Sequence, residues 1–237
     1  ISEFRVVQNR FDTEVGGSAG GALSIITRSG TNDFKGTVFG FYRADGLRAK
    51  GALEQESSAD LYKGQFGLTL GGPIVKDQTH FFASLEQVTA TSPILFRPGG
   101  AYASLASDLG HPYHQTLAFL GLDQRLSDSG NLSAKLDYER YREDNFRVGG
   151  VVDISSGQEL NRDNLNLALG FVQALGSTAT NELRGQIGKR KYDEPPNTSG
   201  PSQWFTGGVT LQRGGSIYGD LLGEGTQWEV KDSISKQ

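Results

Sequence analysis

A glycine-rich turn near the start of the chain, at 16–21 within EVGGSAGGALSIITRSGTN, has the glycine spacing of a phosphate-binding loop. A P-loop then requires a lysine and a serine or threonine to reach the terminal phosphates and Mg²⁺, but Ala22 and Leu23 follow. A dinucleotide fingerprint requires a glycine where Ser18 stands and a helix after the turn, whereas the residues that follow are strand-like. The turn is therefore not interpreted as a nucleotide site.

Two carboxylates, Asp137 and Glu139, are two residues apart and would project from one face of a strand, as a general acid–base pair could. They alternate with Lys135, so a solvated charge ladder that contacts a polar solute is the favoured interpretation. No serine, histidine and aspartate stand in a pattern typical of a triad, and the chain has no cysteine. We therefore predict that the protein is not an enzyme.

Two histidines, His111 and His114, could bind one metal ion, with Asp108 as the nearest third ligand. They fall in a segment expected to be a long loop, and a plain exposed loop is the favoured interpretation. We predict no metal site and no cofactor.

Aromatic side chains accompany glycine pairs in a second long loop. They could stack on a sugar or another ligand, or pack as in any loop. The candidate ligand-loop aromatics are Trp204, Phe205 and Tyr218.

The composition narrows the class of protein. The chain has 237 residues and a net charge of −4, so no basic excess is available for nucleic acid. Its 33 glycines with only 7 prolines favour β-structure with many tight turns. A chain without methionine is expected to be a fragment of a longer protein. No apolar run approaches the ~18 residues of a transmembrane helix, but membrane strands need none.

Alternation of apolar and polar residues is the strongest secondary-structure signal. Between Leu132 and Glu139 every second residue is apolar and the others are polar, which predicts a strand with one face in an apolar environment. About eight strands are predicted in this way. The other strand candidates cover 37–43, 63–70, 81–87, 164–171, 182–189 and 227–234, with 116–126 open to a strand or a helix.

The predicted connectors alternate strictly between short and long. The short ones are 71–78, 127–131 and 176–180, and the long ones are 44–62, 97–115, 142–162 and 192–226. In an antiparallel meander all short turns then lie at one end, as in outer-membrane β-barrels. A soluble β-sandwich is the alternative. In a barrel the apolar face meets lipid, and the predicted lumen-facing residues are Lys135, Asp137, Glu139, Asn164, Asn166 and Arg184.

Three stretches carry a resemblance to a known family. EFRVVQNRFDTEVGGSAGGALSIITRSGTNDFKG resembles the C-terminal end of the plug domain of TonB-dependent outer-membrane receptors. SGTNDFKGTVFGFYR and QFGLTLGGPIVKDQTHFFASLEQ resemble the first barrel strand and the first periplasmic hairpin of the Oar-like branch of that family. The likeness covers residues 1–90, and beyond them only the strand pattern remains.

The resemblance implies an all-β fold in two parts. Residues 1–34 would be the C-terminal part of a plug domain and 35–237 the N-terminal part of a transmembrane antiparallel β-barrel. The resemblance implies a whole barrel of 22 strands. Barrel geometry agrees only that eight strands are too few, because they enclose their own side chains and leave no room for a plug. The implied plug hinge or turn residues are Gly16, Gly17, Gly20, Gly21 and Gly30, and the plug strand contains Leu23, Ile25 and Ile26.

The resemblance also implies a function, namely ligand-gated active transport across the outer membrane of a Gram-negative bacterium. The expected partners are outer-membrane lipid, an inner-membrane TonB-type energy-coupling complex, and an unknown small ligand such as a chelate, a glycan or a peptide. No segment of this chain matches the part that contacts the coupling complex. A non-transporting surface adhesin or structural β-protein and a secreted sugar-acting β-sandwich enzyme remain as alternatives.

Overall fold

The computed structural model describes residues 3–8, 21–47, 49, 57, 59–206 and 210–236, with the backbone alone at 4–8 and 21–25. Antiparallel strands dominate it. Strands β1 (Glu3–Gln8) and β2 (Gly21–Ile26) pair with each other. The long strands are β3 (Lys35–Ala44), β4 (Tyr62–Val75), β5 (Thr79–Phe96), β6 (Ser107–Ser127), β7 (Gly130–Phe146), β8 (Gln158–Leu175), β9 (Ala179–Glu194) and β12 (Leu221–Lys236), and a hairpin of β10 (Ser202–Thr206) and β11 (Thr210–Gly214) precedes the last.

The long strands form one eight-stranded antiparallel sheet in the order β12-β9-β8-β7-β6-β5-β4-β3. Each strand pairs with its neighbour in the chain, except that β12 pairs with β9 because the β10–β11 hairpin lies between them. Within the described residues β3 and β12 form the two edges and do not pair with each other. The predicted architecture, a partial antiparallel barrel of about eight strands, is confirmed.

The connectors alternate as predicted. Short turns of two or three residues occupy 76–78, 128–129 and 176–178, and long connectors occupy 45–61, 97–106, 147–157 and 195–220. Because every second connector of a meander lies at the same end, the sheet has a short-turn end and a long-loop end. Three short 3₁₀ helices, Asp45–Leu47, Gly100–Leu105 and Ile154–Ser156, lie in the long connectors. None of the helices in the described residues is long and apolar enough to cross a membrane.

The strands extend further toward the long-loop end than predicted. β6 begins at Ser107 instead of near 116, and β7 continues to Phe146. The predicted loops 97–115 and 142–162 were therefore too long, and the helical alternative at 116–126 is wrong. Alternation marks a strand only where one face is apolar, and beyond Tyr138 both faces of β7 carry polar side chains.

The two faces of the sheet differ in chemistry. One, called the outer face, carries cross-strand rows of apolar residues. One such row contains Leu70, Ala83, Leu120, Leu136, Leu167, Ile187 and Trp228. Many of these side chains are exposed, Trp228 at 73%. Exposed apolar rows of this extent require an apolar environment such as lipid.

The buried core lies at the long-loop end, on the other face, called the inner face. There the long connectors cover the C-terminal end of β5 and the start of β8. The buried apolar residues are Val88, Ala90, Ile94, Phe96, Leu160 and Leu211. Since the inner face is covered here by loops of the same chain, the long connectors fold inward over the sheet.

Candidate functional site

The six residues predicted to face a lumen lie on one face of the sheet, the inner one. Asp137 is directly opposite Asn166, and Glu139 is directly opposite Asn164. Lys135 and Arg184 share this face, opposite Ala168 and Gly170. These positions alternate with the apolar outer rows, so the polar residues form a continuous wall across β7, β8 and β9.

Side-chain amides donate hydrogen bonds to the carboxylates of this polar wall. Gln115 and Asn164 each donate a side-chain hydrogen bond of 2.8 Å to Glu139, one to each oxygen. On β4 and β5, Gln65 donates to Glu86 at 2.7 Å. A carboxylate that two amides hold is ordered and remains an acceptor. The arrangement is a ladder of hydrogen-bonded amides and carboxylates, whereas the sequence analysis favoured a ladder of solvated charges.

The inner face of β3–β6 has a different character and forms an aromatic half of the wall. Phe39 is opposite Gly67, where its ring occupies the space of the missing side chain. Phe82 and Phe119 contact each other with ring centroids 6.1 Å apart. The expectation that the apolar face meets lipid would place Phe39 and Phe41 of the 37–43 candidate outside, which is wrong for both. Where both faces of a strand carry apolar side chains, the sequence shows no apolar–polar alternation. The pattern then does not indicate which face meets lipid.

The segment that joins β2 to β3, residues 27–34, is called the connecting segment, and its first five residues lie along the inner face. Residues 27–31 line one cavity with Thr37, Thr69 and Phe82. Arg28 also lines a groove of about 580 Å³ whose other walls include Phe119 and Glu139. Ile26, at the end of β2, lines a third cavity with Lys135 and Arg184. The chain before β3 therefore enters the sheet from its inner side.

A hydrogen-bonded clamp fixes the connecting segment to the first short turn. The Asn32 side chain donates to the Asp77 carboxylate at 2.5 Å and accepts from the Asp77 backbone N–H at 2.8 Å. His80 Nε2 lies 2.8 Å from the same Asn32 oxygen. Asp77 has a φ of 62°, in the left-handed region that aspartate tolerates in turns. Sequence reasoning missed this clamp because its partners are 45 and more residues apart.

Two glycines allow the connecting segment to approach the sheet. A Cβ on Gly30 would lie 2.2 Å from the Phe81 carbonyl oxygen, so only glycine fits there. The Phe34 ring occupies the space that a side chain at Gly72 would need. The same ring packs on Phe81, with the ring centroids 6.3 Å apart. Two of the three stretches that carried the family resemblance, SGTNDFKGTVFGFYR and QFGLTLGGPIVKDQTHFFASLEQ, are thus in contact with each other.

The other predicted plug residues are only partly described. Gly16, Gly17 and Gly20 lie outside the described residues. Gly21, Leu23 and Ile25 belong to β2, opposite Gln8, Val6 and Phe4 of β1. The hinge role of these glycines stays a prediction, whereas Gly30 has a packing reason of its own.

The predicted ligand-loop aromatics differ in how much of each ring is exposed and in what packs against it. Trp204 lies in β10 and is 55% exposed. Phe205 packs edge-on against Tyr102 at 6.0 Å. The Arg147 guanidinium lies 3.9 Å from the centroid of the Tyr218 ring and occupies one face of it. Of the three, Trp204 keeps the largest free surface for a ligand.

The long connectors form a hydrogen-bonded cap at the long-loop end. Arg147 binds the fully buried Glu194 at 2.9 Å and donates to Gln158 at 2.8 Å. Gln158 in turn donates to the carbonyl oxygens of Glu194 and Gly219, both at 2.9 Å. Gln158 at the start of β8 and Glu194 at the end of β9 thereby tie the connectors 147–157 and 195–220 to the strand ends.

The two histidines lie in β6 and point to opposite faces, so neither the metal nor the loop interpretation is correct. His111 Nε2 on the inner face is 2.6 Å from Glu143, whose other oxygen accepts from Tyr141 at 2.5 Å. His114 lies near Thr89 on the outer face. In the described part of the chain no three His, Asp or Glu side chains converge as metal ligands.

An open antiparallel sheet with lipid-type apolar rows on one face and polar residues on the other is a wall of an outer-membrane β-barrel. A family model described as an outer membrane beta barrel domain matches residues 26–96. The protein accordingly lies in the bacterial outer membrane.

A curated relative gives a more particular likeness. The chain is 34% identical over 90 residues to the TonB-dependent transporter Oar of Myxococcus xanthus. The alignment covers 35% of this chain and 8% of that protein, so it spans a small part of the relative's length. No solved structure matches the chain.

Proposed function

We propose that the protein is a TonB-dependent receptor of the Oar-like branch, which carries a ligand across the outer membrane of a Gram-negative bacterium. The observation that carries the proposal is the connecting segment, which lies on the inner face and is clamped to the first short turn. A chain that enters a barrel wall from within implies a domain inside the barrel. We assign residues 1–34 to the end of that plug and 35–237 to the barrel, whose first strand begins at Lys35.

The aromatic half of the inner wall supports a plug in contact with it. Phe39, Phe82 and Phe119 would be a poor lining for a water-filled channel, but they suit a packed domain. The polar half, with its amide-held carboxylates, suits a surface along which a polar solute passes. The proposed wall therefore combines a seat for the plug with a lining for the ligand.

The clamp defines where movement would begin. Asn32 is held by the first short turn and Gly30 contacts the backbone of β5, so this point would remain fixed during transport. A pull by an inner-membrane TonB-type complex would then displace the chain before Gly30, including β1 and β2. The ligand would be a small molecule such as a chelate, a glycan or a peptide, bound between the plug and the cap.

A conductance measurement tests the plug. The full-length protein and a variant that lacks every residue before Lys35 are inserted into planar lipid bilayers in potassium chloride. We expect the full-length protein to conduct poorly and the truncated protein to form a wide open pore, because a barrel of about 22 strands is wide enough for an aqueous channel.

Equal conductance in the two proteins would contradict the proposal and favour the adhesin alternative, which has no plug to remove. Heat-dependent mobility of both proteins on a gel shows whether each barrel has folded. The truncation also removes Asn32 and its clamp, so Asn32→Ala in the full-length protein serves as the matched control and should keep the pore closed.

A further inference from the structure

A basic patch lies on the outer face of β7, β8 and β9, immediately beyond the apolar rows. Tyr138 and Leu165 end the apolar region, and the same cross-strand row continues to Lys189. The next row contains Arg140, Asp163 and Lys191, followed by Arg142. The basic patch is defined as Arg140, Arg142, Lys189 and Lys191.

The carboxylates near the basic patch leave two of its cations free of ion pairs. Arg142 binds Asp163 at 2.7 Å, and Lys191 lies 3.8 Å from Glu224. Arg140 and Lys189 are exposed, and neither forms an ion pair with any described residue. Within these rows the four cations face three carboxylates, Asp163, Asp193 and Glu224, whereas Asp144 and Glu159 lie one step further from the apolar rows.

The spacing of the two free cations suits one headgroup with charged oxygens. Arg140 and Lys189 are two strands apart and two residues out of register. Strand separation and rise place their Cα atoms about 12 Å apart. Their long side chains can converge from that distance, with the aliphatic stems on the apolar rows and the charged ends in the headgroup region. Arginine binds phosphate through paired N–H groups and lysine as a point charge.

The basic patch is found at one end of the sheet only. Towards the short turns, the outer faces of β7, β8 and β9 carry no lysine or arginine. The long-loop end of an outer-membrane barrel faces the cell exterior. We propose that Arg140 and Lys189, assisted by Lys191, bind the phosphate of a phosphorylated lipid in the outer leaflet. The site depends on the outer-membrane location and not on transport.

Native mass spectrometry of the full-length protein in detergent tests the site, with short-chain phosphatidic acid and short-chain phosphatidylcholine as probes. We expect the wild-type protein to retain phosphatidic acid preferentially. The double variant Arg140→Gln with Lys189→Gln should lose this preference, by about fivefold in affinity for each cation removed. Glutamine keeps much of each stem, and both residues lack ion pairs, so folding should be unaffected.

Lys236→Gln is the matched control, because Lys236 lies on the outer face of β12 at the short-turn end. It should bind phosphatidic acid as the wild-type protein does. The proposal is overturned if the double variant keeps the preference, if the wild-type protein shows none, or if inorganic phosphate at the same concentration displaces the lipid completely. The last result would identify a site for free phosphate without a contribution from the lipid chains.

Discussion

Replacement of Gly30 by alanine is expected to lower the free energy of unfolding of the full-length barrel by about 3 kcal/mol. The added Cβ would lie 2.2 Å from the Phe81 carbonyl oxygen and 2.9 Å from the Phe81 nitrogen. These are backbone atoms of β5 that pair with neighbouring strands, so they cannot move aside cheaply. The connecting segment must move instead, and the Asn32 clamp would be lost with it. Urea unfolding in lipid vesicles measures the effect.

Two further variants separate the clash from the lost hydrogen bonds. Gly46→Ala adds a Cβ that meets nothing within 4 Å, so it should leave stability unchanged. Asn32→Ala removes the clamp without a clash and should cost about 1–2 kcal/mol, because its hydrogen bonds are exposed. If Gly30→Ala is as stable as Gly46→Ala, the connecting segment does not contact β5 as described.

Replacement of Arg147 by alanine is expected to destabilise the cap by about 3–5 kcal/mol. The Glu194 carboxylate is fully buried, and Arg147 is the cation that binds it. Without Arg147 a buried charge would lose its partner, Gln158 would lose a donor, and Tyr218 would lose the guanidinium on its ring. Hydrogen exchange of the backbone amides of Gln158, Glu194 and Gln212 should accelerate accordingly.

An exposed ion pair provides the comparison. Arg125 binds Asp128 at 2.7 Å in a short turn, where the aspartate side chain is fully exposed. Arg125→Ala should leave the exchange rates in the cap unchanged, since exposed pairs contribute little. If Arg147→Ala also leaves these rates unchanged, the Arg147–Glu194 pair does not hold the cap together.

The sequence was sufficient to predict the sheet because lipid imposes a pattern on it. Where the outer face is apolar, as from Leu132 to Tyr138, every second residue is apolar. This alternation shows which side chains face lipid. The alternation of short and long connectors then predicted the two ends. Beyond the apolar rows this signal ends, which explains why the first nine residues of β6, including His111, were assigned to a loop.

The clamp and the cap could not be predicted in the same way. The Asn32 contacts with Asp77 and His80 join residues 45 and 48 positions apart, and the Arg147–Glu194 pair spans 47. Alternation and turn motifs extend over only a few residues, so they do not predict contacts between residues this far apart in the chain. The one available signal was that GTNDF and GGPIVKDQTHFF occur in the same chain, and the structure shows them packed together.

Two cross-links in the full-length protein test the central claim, that the chain before Gly30 moves during transport while the clamp stays fixed. These 237 residues contain no cysteine, and any cysteine elsewhere in the full-length protein is first replaced by serine, so that only the introduced pairs react. Ile26→Cys with Ala168→Cys places thiols in one cavity for a cleavable bismaleimide, and Asn32→Cys with Asp77→Cys forms a disulfide within the clamp.

The measurement is uptake of a solute, found by screening chelates, glycans and peptides for uptake that an uncoupler abolishes. The account predicts that the link between positions 26 and 168 stops uptake until the linker is cleaved. The disulfide between positions 32 and 77 should leave uptake intact. Continued uptake with positions 26 and 168 linked, or loss of uptake with the clamp alone linked, would contradict it.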